Sequence, residues 1–105
     1  MKLVFVCSPF RNPDPAEAAA NLDYAHTACL TLTRCGLNPV APQLLYPQYL
    51  NDDVEVERKL GLALARDLLK RCDEVHVFTG RGVSEGMAAE VKLAHKLGKK
   101  IVYSQ

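Results

Sequence analysis

Two carboxylates, Asp67 and Glu90, stand where helical periodicity calls for apolar residues. At about 100° per residue, Val56, Leu60, Ala63, Leu64 and Leu68 fall on one arc of a helix, and Asp67 lies inside that arc. Met87, Ala94 and Leu97 mark the inward stripe of a later helix, and Glu90 shares it. An ionised carboxylate is costly to bury without a partner, so an inward acid either shifts its pKa or belongs to a site. Each also has a structural alternative: Asp67 could pair with Arg71 one turn on, and Glu90 could sit at a rim. Two carboxylates flanking a reacting carbon are the equipment of glycosyl transfer. One attacks the anomeric carbon or stabilises its positive charge, and the other handles the proton of the leaving group.

Ser84-Glu85-Gly86 opens the helix that carries Glu90. Unpaired N–H groups and the positive end of the dipole suit a phosphate or carboxylate there, and Gly86 lets a ligand approach the backbone. Ser84 also serves as an ordinary cap. Arg11, in the Ser8-Pro9-Phe10-Arg11 loop, could supply a positive partner.

These residues need a scaffold, and the pattern around them supplies one. Leu3-Val4-Phe5-Val6 is too short for a helix and too continuously apolar for a half-wet strand, so it reads as a buried parallel strand. Asp14-Pro15-Ala16-Glu17 starts a long helix, with Asp as cap and Pro at the first helical position. Ala18, Leu22, Ala25, Cys29 and Leu32 give it one apolar face, and Gly36 stops it. Asn38 to Pro42 is a short second strand that its prolines confine to an edge. Gln43 to Leu50 is an aromatic, irregular segment that must cover something. Asp52 and Asp53 start a second helix running to about Cys72, Glu74 to Thr79 is a third strand, and Gly80-Arg81-Gly82-Val83 is a turn. Ser84 to Leu97 is a third helix ended by Gly98, and Ile101-Val102-Tyr103 belongs to the last strand. The expected architecture is an α/β, three-layer, flavodoxin-like (Rossmann-like) parallel sheet of four strands ordered 2-1-3-4, with helices on both faces. Such sheets bind ligands beyond the carboxyl ends of the strands at the switch point, which brings the Ser8–Arg11 loop beside the Gly80–Gly86 loop.

The 105 residues fit one domain, 1–105. Thirteen Lys and Arg against twelve Asp and Glu give a net charge of +1, which favours neither a nucleic-acid polymer nor a membrane surface. No apolar run reaches the length of a membrane span, and the start is too short for a signal peptide, so a cytoplasmic protein is expected. Cys7, Cys29, Cys35 and Cys72 lack paired spacing and nearby histidines, so they read as reduced structural thiols rather than disulfides or zinc ligands. No metal or organic cofactor is implied.

The motifs resemble the nucleoside 2-deoxyribosyltransferase superfamily, which includes the 2′-deoxynucleoside 5′-monophosphate N-hydrolases. The resemblance rests on Cys7-Ser8-Pro9-Phe10-Arg11, on Arg66-Asp67 before Cys72-Asp73-Glu74-Val75, and on Ser84-x-Gly86-Met87-x-x-Glu90-x-x-x-Ala94-x-x-x-Gly98-Lys99. It covers essentially the whole chain and implies a nucleoside or nucleotide substrate. By this resemblance Glu90 matches the nucleophile at C1′ of deoxyribose, and Asp67 the acid that assists at the base. Ser84, Gly86 and the adjoining Met87 match the phosphate-binding turn, while Ser8, Pro9, Phe10 and Arg11 match the loop over sugar and phosphate. Asn21, on the flank of the first helix, is a further substrate-binding candidate. Strand one departs from the family pattern, with Cys7 and Phe5 where a tyrosine would hold the nucleophile. The chain is also shorter than the characterised transferases, in which a neighbouring subunit often completes the site.

Leu62, Ala65 and Leu69 lie away from Leu60 and Leu64, so the second helix is apolar on two faces, and a homo-oligomer through residues 54–71, at least a dimer, is expected. The expected activity is cleavage of, or base exchange at, the N-glycosidic bond of a 2′-deoxyribonucleoside or its 5′-monophosphate. The alternative is a binding module that captures a nucleotide or nucleotide-derived signal without turnover. A Cys7-dependent phosphatase lacks its loop, because Arg11 follows Cys7 too closely.

Overall fold

The computed structural model describes residues 1–105. Strand β1 (Leu3–Cys7) leads into helix α1 (Pro15–Arg34), then β2 (Asn38–Val40) and a one-turn helix α2 (Pro42–Leu45) that runs into a 3-10 turn at Tyr46–Gln48. Helix α3 (Glu55–Arg71), β3 (Glu74–Phe78), α4 (Glu85–Lys96) and β4 (Lys100–Ser104) complete the chain. The four strands form one parallel sheet in the order β2-β1-β3-β4, as the pattern predicts. No helix is long and apolar enough to cross a membrane.

The continuous apolar run of β1 is explained by two covered faces. Phe5 and Cys7 pack with Leu69, Cys72, Val75, Val77, Met87 and Ala94, under α3 and α4. Val4 and Val6 pack with Ala28, Leu32, Ala41 and Phe78, under α1. Burying one such side chain contributes about 1.5–3 kcal/mol, so the alternation of β1 ties both layers to one strand.

The helix ends follow local chemistry. Asp14 Oδ1 accepts from the Ala16 N–H at 3.0 Å, and Pro15 occupies the first helical position of α1. Beyond Arg34, Gly36 takes φ 79°, the Gly36 N–H reaches the Thr33 carbonyl at 3.0 Å, and the Leu37 N–H reaches that of Leu32 at 3.1 Å. This is a Schellman closure, which needs the left-handed conformation that glycine adopts freely. Gly98, at φ 69°, closes α4 the same way. Leu97 therefore caps the helix and is 40% exposed, although the periodicity placed it inward.

Three further readings are corrected. The aromatic segment after β2 is not irregular but forms α2 and the 3-10 turn. Cys35 is exposed rather than packed, because it stands where α1 turns off, while Cys7 and Cys72 are buried as expected. Helix α3 is also rotated relative to the expected arc. Val56, Leu60 and Leu64 are 68%, 51% and 38% exposed, whereas Leu69 is fully buried and Gly61, Ala65 and Leu68 are half-buried.

Candidate functional site

Beyond the carboxyl end of β1 lies a cavity of about 400 Å³. Three segments wall it: the loop after β1, the α2–turn segment with the start and inner face of α3, and the first turn and a half of α4. Of the residues expected at the site, Ser8, Phe10, Arg11, Ser84, Gly86, Met87 and Glu90 line this cavity. Pro9, Asn21 and Asp67 do not.

Glu90 is half-buried at the cavity surface. Burial pushes its carboxyl up to about 7, and the neighbouring Cys7 thiol opposes that shift. No lysine, arginine or histidine forms an ion pair with it. The Cys7 thiol, fully buried at the end of β1, is itself pushed up by burial and by the Glu90 charge, and it lies 3.7 Å from the Met87 carbonyl oxygen. Glu90 is thus a carboxyl poised between its two charge states near neutral pH. That suits a group that must carry charge at one step and lose it at another.

Asp67 has a different fate. Its side chain is 58% exposed, and its Oδ2 accepts from Arg71 Nε at 2.9 Å, an i,i+4 pair on the outside of α3. The inward placement fails for a geometric reason. The buried Leu69 and Cys72 fix the rotation of the helix at its C-terminal end. Two residues back from Leu69 is a turn of about 160°. Asp67 therefore points to solvent.

Ser84 caps α4, its Oγ accepting from the Met87 N–H at 3.2 Å. Glu85 beside it puts an acidic side chain at the same helix start, lining the cavity. Arg11 is engaged by acids from the far wall, with Nε 2.9 Å from Asp52 Oδ2 and a terminal nitrogen 3.7 Å from Asp53 Oδ1. That pair closes the β1 loop against the residues before α3.

Besides the aromatic covering segment, the cavity contains residues that were not expected at the site. Gln43, buried in α2, donates from Nε2 to Ser8 Oγ and, at 3.5 Å, to the Val6 carbonyl oxygen, so it joins the covering segment to the end of β1. Arg58 lines the cavity from α3 and has no carboxylate within ion-pairing distance, which makes it the cavity cation left free. Glu57 lines the same wall and accepts from the Asn51 N–H at 3.0 Å. Tyr46 and Pro47 add apolar surface from the turn, with Tyr46 edge-on to Tyr49 at 6.4 Å. One available signal was Gln43, a polar residue in a segment that had to cover something. Arg58 carried none, because an arginine on a charged helix face is ordinary.

Two solved structures share this architecture. A 2-deoxyribosyltransferase from the psychrotolerant bacterium Bacillus psychrosaccharolyticus superposes with a TM-score of 0.77 at 19% identity, over 96% of this chain and 70% of that one. The CMP N-glycosidase BcmB of Clostridium botulinum superposes with a TM-score of 0.61 at 24% identity, over 97% of this chain and 66% of that one. This chain thus spans about two thirds of the length of each. The resemblance to the nucleoside 2-deoxyribosyltransferases is borne out in the fold. No curated protein matches the sequence. Residues 2–104 match a family described as a domain of unknown function, and the chain therefore belongs to the DUF7768 family.

Proposed function

We propose that the chain cleaves or exchanges the N-glycosidic bond of a 2′-deoxyribonucleoside or its 5′-monophosphate, with Glu90 as nucleophile. The observation that carries this reading is the Glu90 carboxyl, facing a cavity of nucleoside size, with no cation beside it and a carboxyl pushed up to about 7. Likeness of fold to a deoxyribosyltransferase and to a CMP N-glycosidase supports it. A Glu90 oxygen attacks C1′, the C1′–N bond breaks with its electron pair going to the base, and the base takes up a proton. Water or a second base then attacks C1′, gives its proton to the group that protonated the first base, and releases the carboxylate, so hydrolysis and exchange share the first half-reaction. Asp67 lies outside the cavity within one chain, so the proton delivery expected of it falls to the cavity carboxyls not paired with arginine, Glu57 and Glu85.

Ser8 and Phe10 sit where the sugar and base would meet the β1 loop. Ser84, Gly86 and Met87 form the turn that faces them. The test is to incubate the protein with a panel of deoxynucleosides and deoxynucleoside monophosphates and to follow free base by chromatography. Release is expected, falling at least ~10³-fold in Glu90→Gln while binding is retained. No release from any substrate, with or without an acceptor base, overturns the reading.

Capture of a nucleotide without turnover is the second reading, and the free Arg58 guanidinium favours it, because a planar cation in a cavity suits phosphate. In that case Arg58→Met weakens binding of the monophosphate and Glu90→Gln has no turnover to remove.

The exposed apolar residues of α3 support self-association through residues 54–71. Val56, Leu60 and Leu64 stand exposed together on one face of the helix, an apolar stripe of the kind that marks an interaction surface. Sedimentation is expected to give a dimer or larger assembly that Leu60→Glu dissociates.

A further inference from the structure

Asn21 was expected to touch substrate, but its bonds assign it another task. Its side chain is buried in α1, with the residue 4% exposed, and it does not line the cavity. Its Nδ2 donates to the Phe10 carbonyl oxygen at 3.3 Å, in the loop after β1. Its Oδ1 accepts from Arg81 Nε at 2.8 Å, in the loop after β3. A terminal nitrogen of Arg81 is held by Glu17, one turn earlier on the same face of α1. About one turn later on that face, the Tyr24 hydroxyl accepts from the Gly80 N–H at 2.7 Å. Glu17, Asn21 and Tyr24 thus form a rail along α1 that grips both loops.

We propose that Asn21 is the positioning residue that sets the gap between the two walls of the cavity. This rests on the reading of that cavity as the reaction site. Phe10 and Arg11 belong to one wall, and the loop held through Arg81 delivers Ser84 and α4, with Glu90, to the other. A carboxamide suits the task because it donates and accepts at once, whereas a carboxylate only accepts and an aliphatic chain does neither. The second loop needs an external tether. It carries Gly80 and Gly82, the latter at φ 87°, and glycines leave a loop many conformations to lose. Gly80 also shows how closely the loop lies on the helix, since a Cβ there would stand 2.7 Å from the Tyr24 hydroxyl oxygen. When a tether is cut, only a fraction of molecules present the binding geometry, and apparent affinity falls by that fraction. Chemistry within the assembled complex is unchanged.

Three variants of the full chain separate the bonds. Asn21→Leu removes both tethers, Asn21→Asp keeps the Arg81 bond and loses the one to Phe10, and Arg81→Met does the reverse. Amide hydrogen exchange is expected to speed up about tenfold in residues 8–13 for Asn21→Asp, in residues 80–84 for Arg81→Met, and in both for Asn21→Leu, with β1 and β3 unchanged. With the substrate identified by base release, KM is expected to rise about fivefold in each single-tether variant and more in Asn21→Leu, with kcat within about twofold. Faster exchange throughout the strands would overturn the proposal by making Asn21 a core residue. So would a KM that rises in both Asn21 variants but not in Arg81→Met, which would mean direct contact with the ligand. If Asn21→Leu fails to fold, Arg81→Met, whose side chain is 29% exposed, decides the case. If the parent protein releases no base at all, the glycosidic reading fails. The exchange pattern then decides the positioning role alone.

Discussion

Glu74 is buried and Glu90 half-buried, and the molecule treats the two glutamates in opposite ways. Glu74 begins β3, at the end of the sheet away from the cavity. Its carboxyl accepts from Lys2 Nζ at 2.7 Å, lies 3.0 Å from His76 Nε2, and has Lys100 Nζ at 4.0 Å. The hydrogen bonds from Lys2 and then His76 pull it down to about 2. Glu90, beyond the strand ends, has a thiol for company and is pushed up to about 7. One end of the sheet surrounds its acid with cations and gains stability from it. The other end leaves its acid uncompensated, an arrangement that makes sense where the charge is used rather than stored.

The contrast can be broken from either side. Glu74→Ala leaves Lys2 and Lys100 crowded without their acid, and is expected to cost about 2–3 kcal/mol in denaturant unfolding at neutral pH. Since its folded pKa is depressed, the stabilisation from Glu74 is present above 4.5 and is lost as pH falls toward about 2, so the deficit of the variant should shrink in acid.

Glu90 carries the opposite sign. Its raised pKa means that the folded chain holds this proton more tightly than the unfolded chain does. That contribution is complete below 4.5 and disappears as pH rises through about 7. Glu90→Gln cannot ionise, so thermal melts are expected to show it more stable than the parent by on the order of 2 kcal/mol at about pH 8, and equal to it at about pH 4. A variant that loses function and gains stability would mark Glu90 as a strained functional group. A variant that loses both would make it structural.

The thiol beneath Glu90 gives a smaller effect. Cys7→Ser offers a better donor, so the acidic limb of the pH–rate profile is expected to move down by about half a unit to one unit. Cys7→Val, with no donor, moves it up. Asp67→Asn is the smallest change: the exposed pair with Arg71 is expected to contribute less than about 0.5 kcal/mol, with base release within about twofold of the parent. A large loss of activity in Asp67→Asn within an assembled oligomer would instead return that carboxylate to the chemistry, reaching the cavity of a second copy.

What could be read in advance, and what could not, follows from how local each determinant is. The strand at Leu3–Cys7, the Asp14 cap, and the stops at Gly36 and Gly98 are set by residues within a few positions of one another, and all stand where the pattern put them. The 2-1-3-4 sheet then follows from the alternation of elements. The rotation of α3 could not be read this way. Apolar residues surround that helix, so two orientations bury similar surface in sequence terms. The choice is made at its end, where the Asp73 N–H bonds the Leu3 carbonyl at 2.8 Å and drives Cys72 and Leu69 inward. Asp67 went the wrong way with that rotation. Glu90 did not, because Met87 and Ala94 on its own helix define one buried stripe. The role of Asn21 was hidden for a similar reason, since its partners Phe10 and Arg81 lie 11 and 60 positions away.

The two edges of the sheet are chemically unlike. β2 is three residues long and carries Pro39, which has no N–H to offer a neighbour, whereas β4 runs five residues through Ile101, Val102 and Tyr103 with one side unpaired. A further strand would therefore find a hydrogen-bonding template along β4 and almost none along β2. The sheet can grow in only one direction. A designer extending this scaffold by β-augmentation should graft onto β4, and should look to the same edge first if concentrated protein begins to form fibres.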